Sequence, residues 1–170
     1  MDQNMITLLM ALIALLISFF CFYQVNQLRK TKAANTEQDS FNTRPLQLQA
    51  YERLVLLAER IAIPNLVSRV NQPGLSVREM QLLLLESIRQ EYDYNATQQI
   101  YVSPVAWEAI TNLKDQNMLI INQVSATLPP EATATDLNRQ LLDFVITQKK
   151  GALHSIVLEA INFEARKIVK

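Results

Sequence analysis

The chain has 170 residues, with 16 Lys+Arg against 16 Asp+Glu, two glycines, one cysteine and one histidine. That leaves room for one modest soluble domain, and the zero net charge speaks against a dedicated nucleic-acid binder. Two glycines cannot build a Walker loop or a dinucleotide fingerprint, and one cysteine forbids an intrachain disulfide or a thiolate metal cluster.

Met5 to Tyr23 form 19 consecutive uncharged positions. At about 1.5 Å per residue such a helix spans roughly 28 Å, the thickness of a bilayer's hydrocarbon core. A cleaved signal peptide wants a basic start and small residues at its cleavage site. Here the start carries Asp2 and the end is Phe19, Phe20, Phe22 and Tyr23, so an uncleaved anchor is expected. Arg29, Lys30 and Lys32 follow the span and no basic residue precedes it. The positive-inside rule then puts the N-terminus outside and the rest of the chain in the cytoplasm. Within the span, Thr7, Ala11, Ala14, Ser18 and Cys21 are spaced 4, 3, 4, 3, a heptad seam on one face. Membrane helices approach each other at small residues, so this seam is expected to pack against another helix, from a second copy or a different protein.

Residues 31–43 are polar and lack apolar periodicity, which reads as a linker. Thr43 and Pro45 then suit the start of a helix running to about Ile63, where Pro64 interrupts. Its expected buried face is Leu46, Ala50, Leu54, Leu57, Ala58 and Ile61. Glu52-Arg53 recurs seven residues on as Glu59-Arg60, a charged flank that is either solvated or engaged with a neighbouring helix. Asn65 to Val70 adds a short turn, and Asn71-Gln72-Pro73-Gly74 reads as a reverse turn. Ser76-Val77-Arg78-Glu79 is a capping box for a helix continuing to about Tyr94.

Glu91 to Val102 superficially matches a calcium loop. Ala96 stands where glycine is needed and Val102 where a carboxylate is needed, which rules it out. Gln98 to Val102 reads as a loop or extended piece. Ser103-Pro104 opens the next helix, with the serine as cap and the proline in its first position. Its expected inner stripe is Ala106, Ile110, Leu113, Ile120, Ile121 and Val124. From Tyr94 to Pro130 the only charges are Glu108, Lys114 and Asp115. Asn112, Gln116, Asn117, Asn122 and Gln123 supply polarity there, and a neutral amide-rich surface suits a protein contact. Thr135-Asp136 opens a further helix with Leu137, Leu141, Phe144 and Val145 inward. Gly151 fits a helix end, and Ala152 to Lys170 closes the chain as a last helix.

No strand pattern emerges, and the fold class is all-α. The expected organisation is a transmembrane anchor helix over 1–30, a polar linker over 31–43 and a cytosolic domain of four to five helices over 44–170. No catalytic constellation is visible. His154 has no histidine or cysteine partner in that domain, and its neighbour Ser155 diverges from it around a helix. No cofactor, metal site or catalytic residue is expected.

Leu48-Gln49-Ala50-Tyr51-Glu52-Arg53-Leu54, Asn65-Leu66-Val67-Ser68-Arg69-Val70, Gln99-Ile100-Tyr101-Val102-Ser103 and Ala106-Trp107 occur in this order. Together they resemble an uncharacterised family of short membrane-anchored proteins from Bacteroidetes-type bacteria. The resemblance implies a membrane anchor and a helical domain; the expected location is the bacterial inner membrane. It carries no activity and no functional residue.

The leading expectation is a non-catalytic single-span protein acting as an assembly, scaffold or adaptor subunit through helix packing. Its partners would be the membrane and a second copy or a larger membrane complex, with no nucleic acid. Glu52, Arg53, Glu59, Arg60, Tyr101 and Trp107 are the candidate interaction surface. The alternative is a membrane-tethered sensor or regulator binding a small ligand between its helices, with Tyr92, Tyr94, Tyr101 and Trp107 lining the site.

Overall fold

A computed structural model of the protein describes residues 18–27, 43–147 and 151–169. The chain divides into two compact units, Met1–Thr43 and Arg44–Lys170. In the first, residues 18–27 are helical, and Phe19, Phe20, Phe22 and Tyr23 are all exposed. Gln27 Nε2 donates to Tyr23 Oη at 3.0 Å, one turn back. No helix among the described residues is long and apolar enough to cross a membrane. Most of the expected Met5–Tyr23 span lies outside the described residues, as do Thr7, Ala11, Ala14, Arg29, Lys30 and Lys32.

The second unit is all-α among the described residues. Its helices are α1 (Arg44–Ile61), α2 (Ile63–Val70), α3 (Val77–Asn95), α4 (Pro104–Thr127), α5 (Ala134–Thr147) and α6 (Gly151–Val169). A 3-10 turn over Ala96–Ile100 joins α3 to α4, where the sequence suggested loop or strand. The expected four to five helices become six because Asn65 to Val70 belongs to a separate helix of eight residues. Gly151 opens α6 rather than ending a helix.

The core is continuous across all six helices. Leu54, Leu57 and Ile61 of α1 join Leu66 of α2, Met80, Leu84 and Ile88 of α3, Ile110, Leu113 and Ile121 of α4, Leu137 and Leu141 of α5, and Val157 and Ile161 of α6. Each such side chain is worth roughly 1.5–3 kcal/mol when fully buried. Helix α1 is the hub, packing on α2, α3, α4, α6 and the 3-10 turn. The periodicity located most of this stripe, but Leu46 is exposed, while Tyr51 is buried and its hydroxyl accepts from the Ser103 backbone N–H at 2.9 Å.

The break after α1 follows from Pro64. A proline has no N–H to give the carbonyl four residues back, and Ala62 turns the chain with ψ 128°. A helix end leaves its last carbonyls without intrahelical donors. Here side chains replace them one by one. Asn65 Nδ2 donates to Glu59 O at 2.9 Å, Arg69 Nη2 to Arg60 O at 3.2 Å, and Asn117 Nδ2 to Ile61 O at 2.8 Å. Asn117 is buried. It is therefore a structural cap rather than part of an open amide surface. Asn122 is also engaged, accepting from the buried Gln81 at 2.8 Å.

Two helix starts lie side by side. The Ser76–Glu79 capping box forms as the sequence predicts, with Glu79 Oε2 accepting from Ser76 N at 2.9 Å. The start of α5 repeats the device two residues earlier than Thr135-Asp136 suggested: Thr133 is the cap, and Asp136 Oδ2 accepts from its N–H at 3.0 Å. A single antiparallel bridge pairs Ser76 with Thr133, and Ala134 N donates to Leu75 O at 3.1 Å. The turn before α3 needs Gly74, whose φ is +84°, a conformation that costs other residues strain.

Two predictions follow from these ends. Asn117→Leu leaves the Ile61 carbonyl buried without a donor, so the full chain in detergent should lose about 1–3 kcal/mol in urea denaturation. Asn65→Ala, at an exposed position, should lose less. The carboxyls of Glu79 and Asp136 are both held below their usual range, Glu79 chiefly by the Ser76 backbone N–H and Asp136 chiefly by the Thr133 hydroxyl. Their stabilisation is therefore complete above the ordinary carboxylate range near pH ~4 and lost as pH falls through the lower folded values. The urea midpoint should drop on acidification below that range, and the Glu79→Gln, Asp136→Asn double variant should drop less steeply.

Candidate interaction face on α1 and α3

Arg53 and Arg60 lie two helical turns apart on α1 and both reach α3. Arg60 Nη2 meets Glu91 Oε1 at 2.6 Å, and Arg69 Nη1 from α2 reaches the same oxygen at 3.2 Å. Glu91 is 14% exposed, whereas Arg60 is 51% exposed. The hydrogen bond and charge of Glu91 raise the Arg60 pKa above its ordinary value. Arg53 Nε donates to Asn95 Oδ1 at 3.3 Å, and the Asn95 amide donates onward to Glu91 O at 2.8 Å. The Arg53 guanidinium also stands 5.0 Å from the centre of the Tyr94 ring, a cation–π contact.

Arg53, Arg60, Glu91, Tyr94 and Asn95 border an open groove of about 510 Å³ between α1 and α3, with Leu56 and Leu57 on its α1 side. Leu56 is 60% exposed. Two guanidiniums share the Glu91 carboxylate and Arg53 adds a third charge on the neighbouring Asn95, so this group of side chains carries a local positive excess that the chain's overall neutrality conceals. Chemically it suits an acidic partner that also offers an apolar side chain.

The other candidates are distributed elsewhere. Glu52 is exposed. Glu59 faces a different neighbour, accepting from Asn65 Nδ2 at 3.0 Å and standing 3.7 Å from His154 Nε2. Thus the two halves of the repeated Glu-Arg pair serve different faces. Trp107 packs against Tyr92 with ring centroids 5.1 Å apart. Tyr92 Oη bonds Thr111 Oγ1 at 2.9 Å, and Lys114 Nζ lies 4.5 Å from the Tyr92 ring centre. Tyr101 and Tyr94 are exposed. The four aromatics therefore do not gather round one cavity: two build a structural pair, and Tyr94 borders the arginine groove. Ser18 and Cys21 are exposed on the helix of the first unit.

Sequence reasoning missed Arg69, Glu91 and Asn95. Their signal is faint, since each joins the cluster only when α2 and α3 fold against α1. Among the described residues no group of three or more His, Cys, Asp or Glu is placed to hold a metal ion.

These features define an all-helical domain with a charged groove between α1 and α3, following a separate N-terminal unit. The chain belongs to a family of unknown function (DUF7935), which matches it over residues 2–168 and so takes in both units. No curated protein and no solved structure matches it.

The Arg60–Glu91 pair is accessible to solvent, so its coupling is expected to be modest. A double-mutant cycle with Arg60→Gln and Glu91→Gln should give about 0.5–1 kcal/mol in urea denaturation, reduced by added salt. Glu91→Gln alone should cost more than Arg60→Gln, because it also removes the negative charge that Arg69 meets.

Proposed function

We propose that the protein is a non-catalytic, single-span membrane protein that serves as an assembly or adaptor subunit, its helical domain on the cytoplasmic side of a bacterial inner membrane. The observation that carries this reading is the junction of two facts at the N-terminus. The uncharged run Met5–Tyr23 ends in a helical segment whose Phe19, Phe20, Phe22 and Tyr23 are exposed together. Leaving four neighbouring aromatic side chains in water is unfavourable, and lipid or a partner helix removes that cost. Aromatic residues at the end of an apolar run also match the interfacial belt of membrane helices. In the sequence, the 4, 3, 4, 3 spacing of Thr7, Ala11, Ala14, Ser18 and Cys21 suits close packing between membrane helices. The Arg53, Arg60, Arg69 face of the domain supplies a second surface for an acidic partner.

Membrane fractionation with alkaline extraction tests the anchor: the full chain should stay with the bilayer, and release with peripheral proteins would overturn the reading. Native mass measurement of the detergent-extracted protein should show more than one chain or a retained partner. Oxidation in membranes should link Cys21 to its counterpart or to a partner, and Ala11→Leu with Ser18→Leu should reduce that product several-fold. A lone monomer that retains nothing and forms no Cys21 product would count against an adaptor.

A further inference from the structure

Helix α6 gives one side to the core and leaves the other open. Val157 and Ile161 are buried, and the helix packs on α1 and α4. On the outer side Ile156 is 59% exposed and Phe163 is 61% exposed. An open depression of about 720 Å³ runs along this side, lined among the described residues by α6 alone. Ile156, Ala160, Phe163 and Lys167 follow at spacings of 4, 3 and 4, so they form one stripe. Lys167 Nζ bonds Glu164 and stands 4.5 Å from the centre of the Phe163 ring. Its charge is thus engaged to one side, and its aliphatic stem extends the stripe. Glu159 and Arg166 lie beside the stripe, seven residues apart and both exposed. Neither enters a salt bridge among the described residues.

We propose that this face of α6 is a contact between two copies of the chain, packed antiparallel about a two-fold axis. A surface that meets its own copy must complement itself, and the charges here do so in one direction only. In heptad terms Ala160 and Lys167 are a positions, Ile156 and Phe163 are d, and Glu159 and Arg166 are both g. An antiparallel pair sets a against d and g against g. Phe163 of each copy then fits over the small Ala160 of the other, and Ile156 meets the Lys167 stem. The same register brings Glu159 of each copy to Arg166 of the other, giving two ion pairs related by the axis. A parallel pair instead sets g against the e position of the next heptad. That confronts Glu159 with Glu164 of the other copy, two carboxylates, which disfavours it. One helix face is small for a dimer of free chains, but chains held in one bilayer meet at a raised effective concentration. The inference therefore rests on the anchored-assembly reading and names its partner as a second copy.

Disulfide crosslinking of the full chain in membranes reads this register. In a Cys21→Ser background, two differently tagged copies are co-expressed, one with Glu159→Cys and the other with Arg166→Cys. Mild oxidation should join the two tags about fivefold or more in excess of either variant's product with itself, because equivalent positions are offset along the axis beyond disulfide reach. The mixed dimer keeps one Glu159–Arg166 ion pair, so the substitutions leave the contact in place. Adding Phe163→Glu to both copies should cut the mixed product about tenfold. The urea midpoint should barely move, since the side chain is exposed in the single chain. Absence of the mixed product, self-linked products as abundant as the mixed one, or a mixed product that survives Phe163→Glu would each overturn the contact. Alkaline extraction of the same membranes reads the anchor separately: a chain that is retained yet yields no mixed product refutes the α6 contact alone.

Discussion

The missing N–H of Pro64 is the constraint around which the helical domain is organised. It ends α1 at Ile61 and leaves the carbonyls of Glu59, Arg60 and Ile61 in need of donors. The three donors come from three places in the chain: Asn65 at the start of α2, Arg69 near its end, and Asn117 in the middle of α4. Because each donor must sit within hydrogen-bond distance of a fixed carbonyl, the break also sets where α2 and α4 lie. The Ile61–Asn117 bond matters most, since it is the buried one of the three and an unsatisfied carbonyl there would bear the full desolvation penalty.

Both surface features of the domain depend on that arrangement. Arg69 bonds Arg60 O with one nitrogen and Glu91 with another, so the side chain that completes the end of α1 also ties it to α3. This brings Arg60 and Arg69 together on one carboxylate, with Arg53 held beside them by Asn95. Asn65 and Asn117, whose amide nitrogens bond the end of α1, also line a largely apolar cavity. The same break thus produces a solvent-facing cationic groove and a recessed, largely apolar concavity.

The remaining tertiary links join elements that are distant in sequence through short polar contacts at helix ends. Tyr51 fixes the start of α4 through the Ser103 N–H, and the paired caps Ser76 and Thr133 align the starts of α3 and α5. Asn138 donates to Asn71 at 2.9 Å, closing α5 onto the end of α2. Helix interiors are held by non-directional apolar burial, which tolerates sliding. The directional bonds at the ends define the register between helices.

Local chemistry was readable from the residues alone. The all-α class, the Ser76–Glu79 box, the Ser103-Pro104 start, the glycine turn and most of the buried stripe follow from interactions within four residues along the chain, which periodicity and capping rules capture. The expectation that Glu52-Arg53 and Glu59-Arg60 form a charged flank also identified Arg53 and Arg60, but not that Glu59 turns toward Asn65 and His154. What the sequence by itself determined is therefore the helices, their caps and the break at Pro64. Only the tertiary structure decided that Asn117 is a buried cap rather than a surface amide, that Tyr92 and Trp107 form a packed pair, and that Glu91 and Arg69 join the arginine face. Those outcomes depend on which helices meet, and that is set by packing between residues far apart in the chain, where no local spacing carries the information.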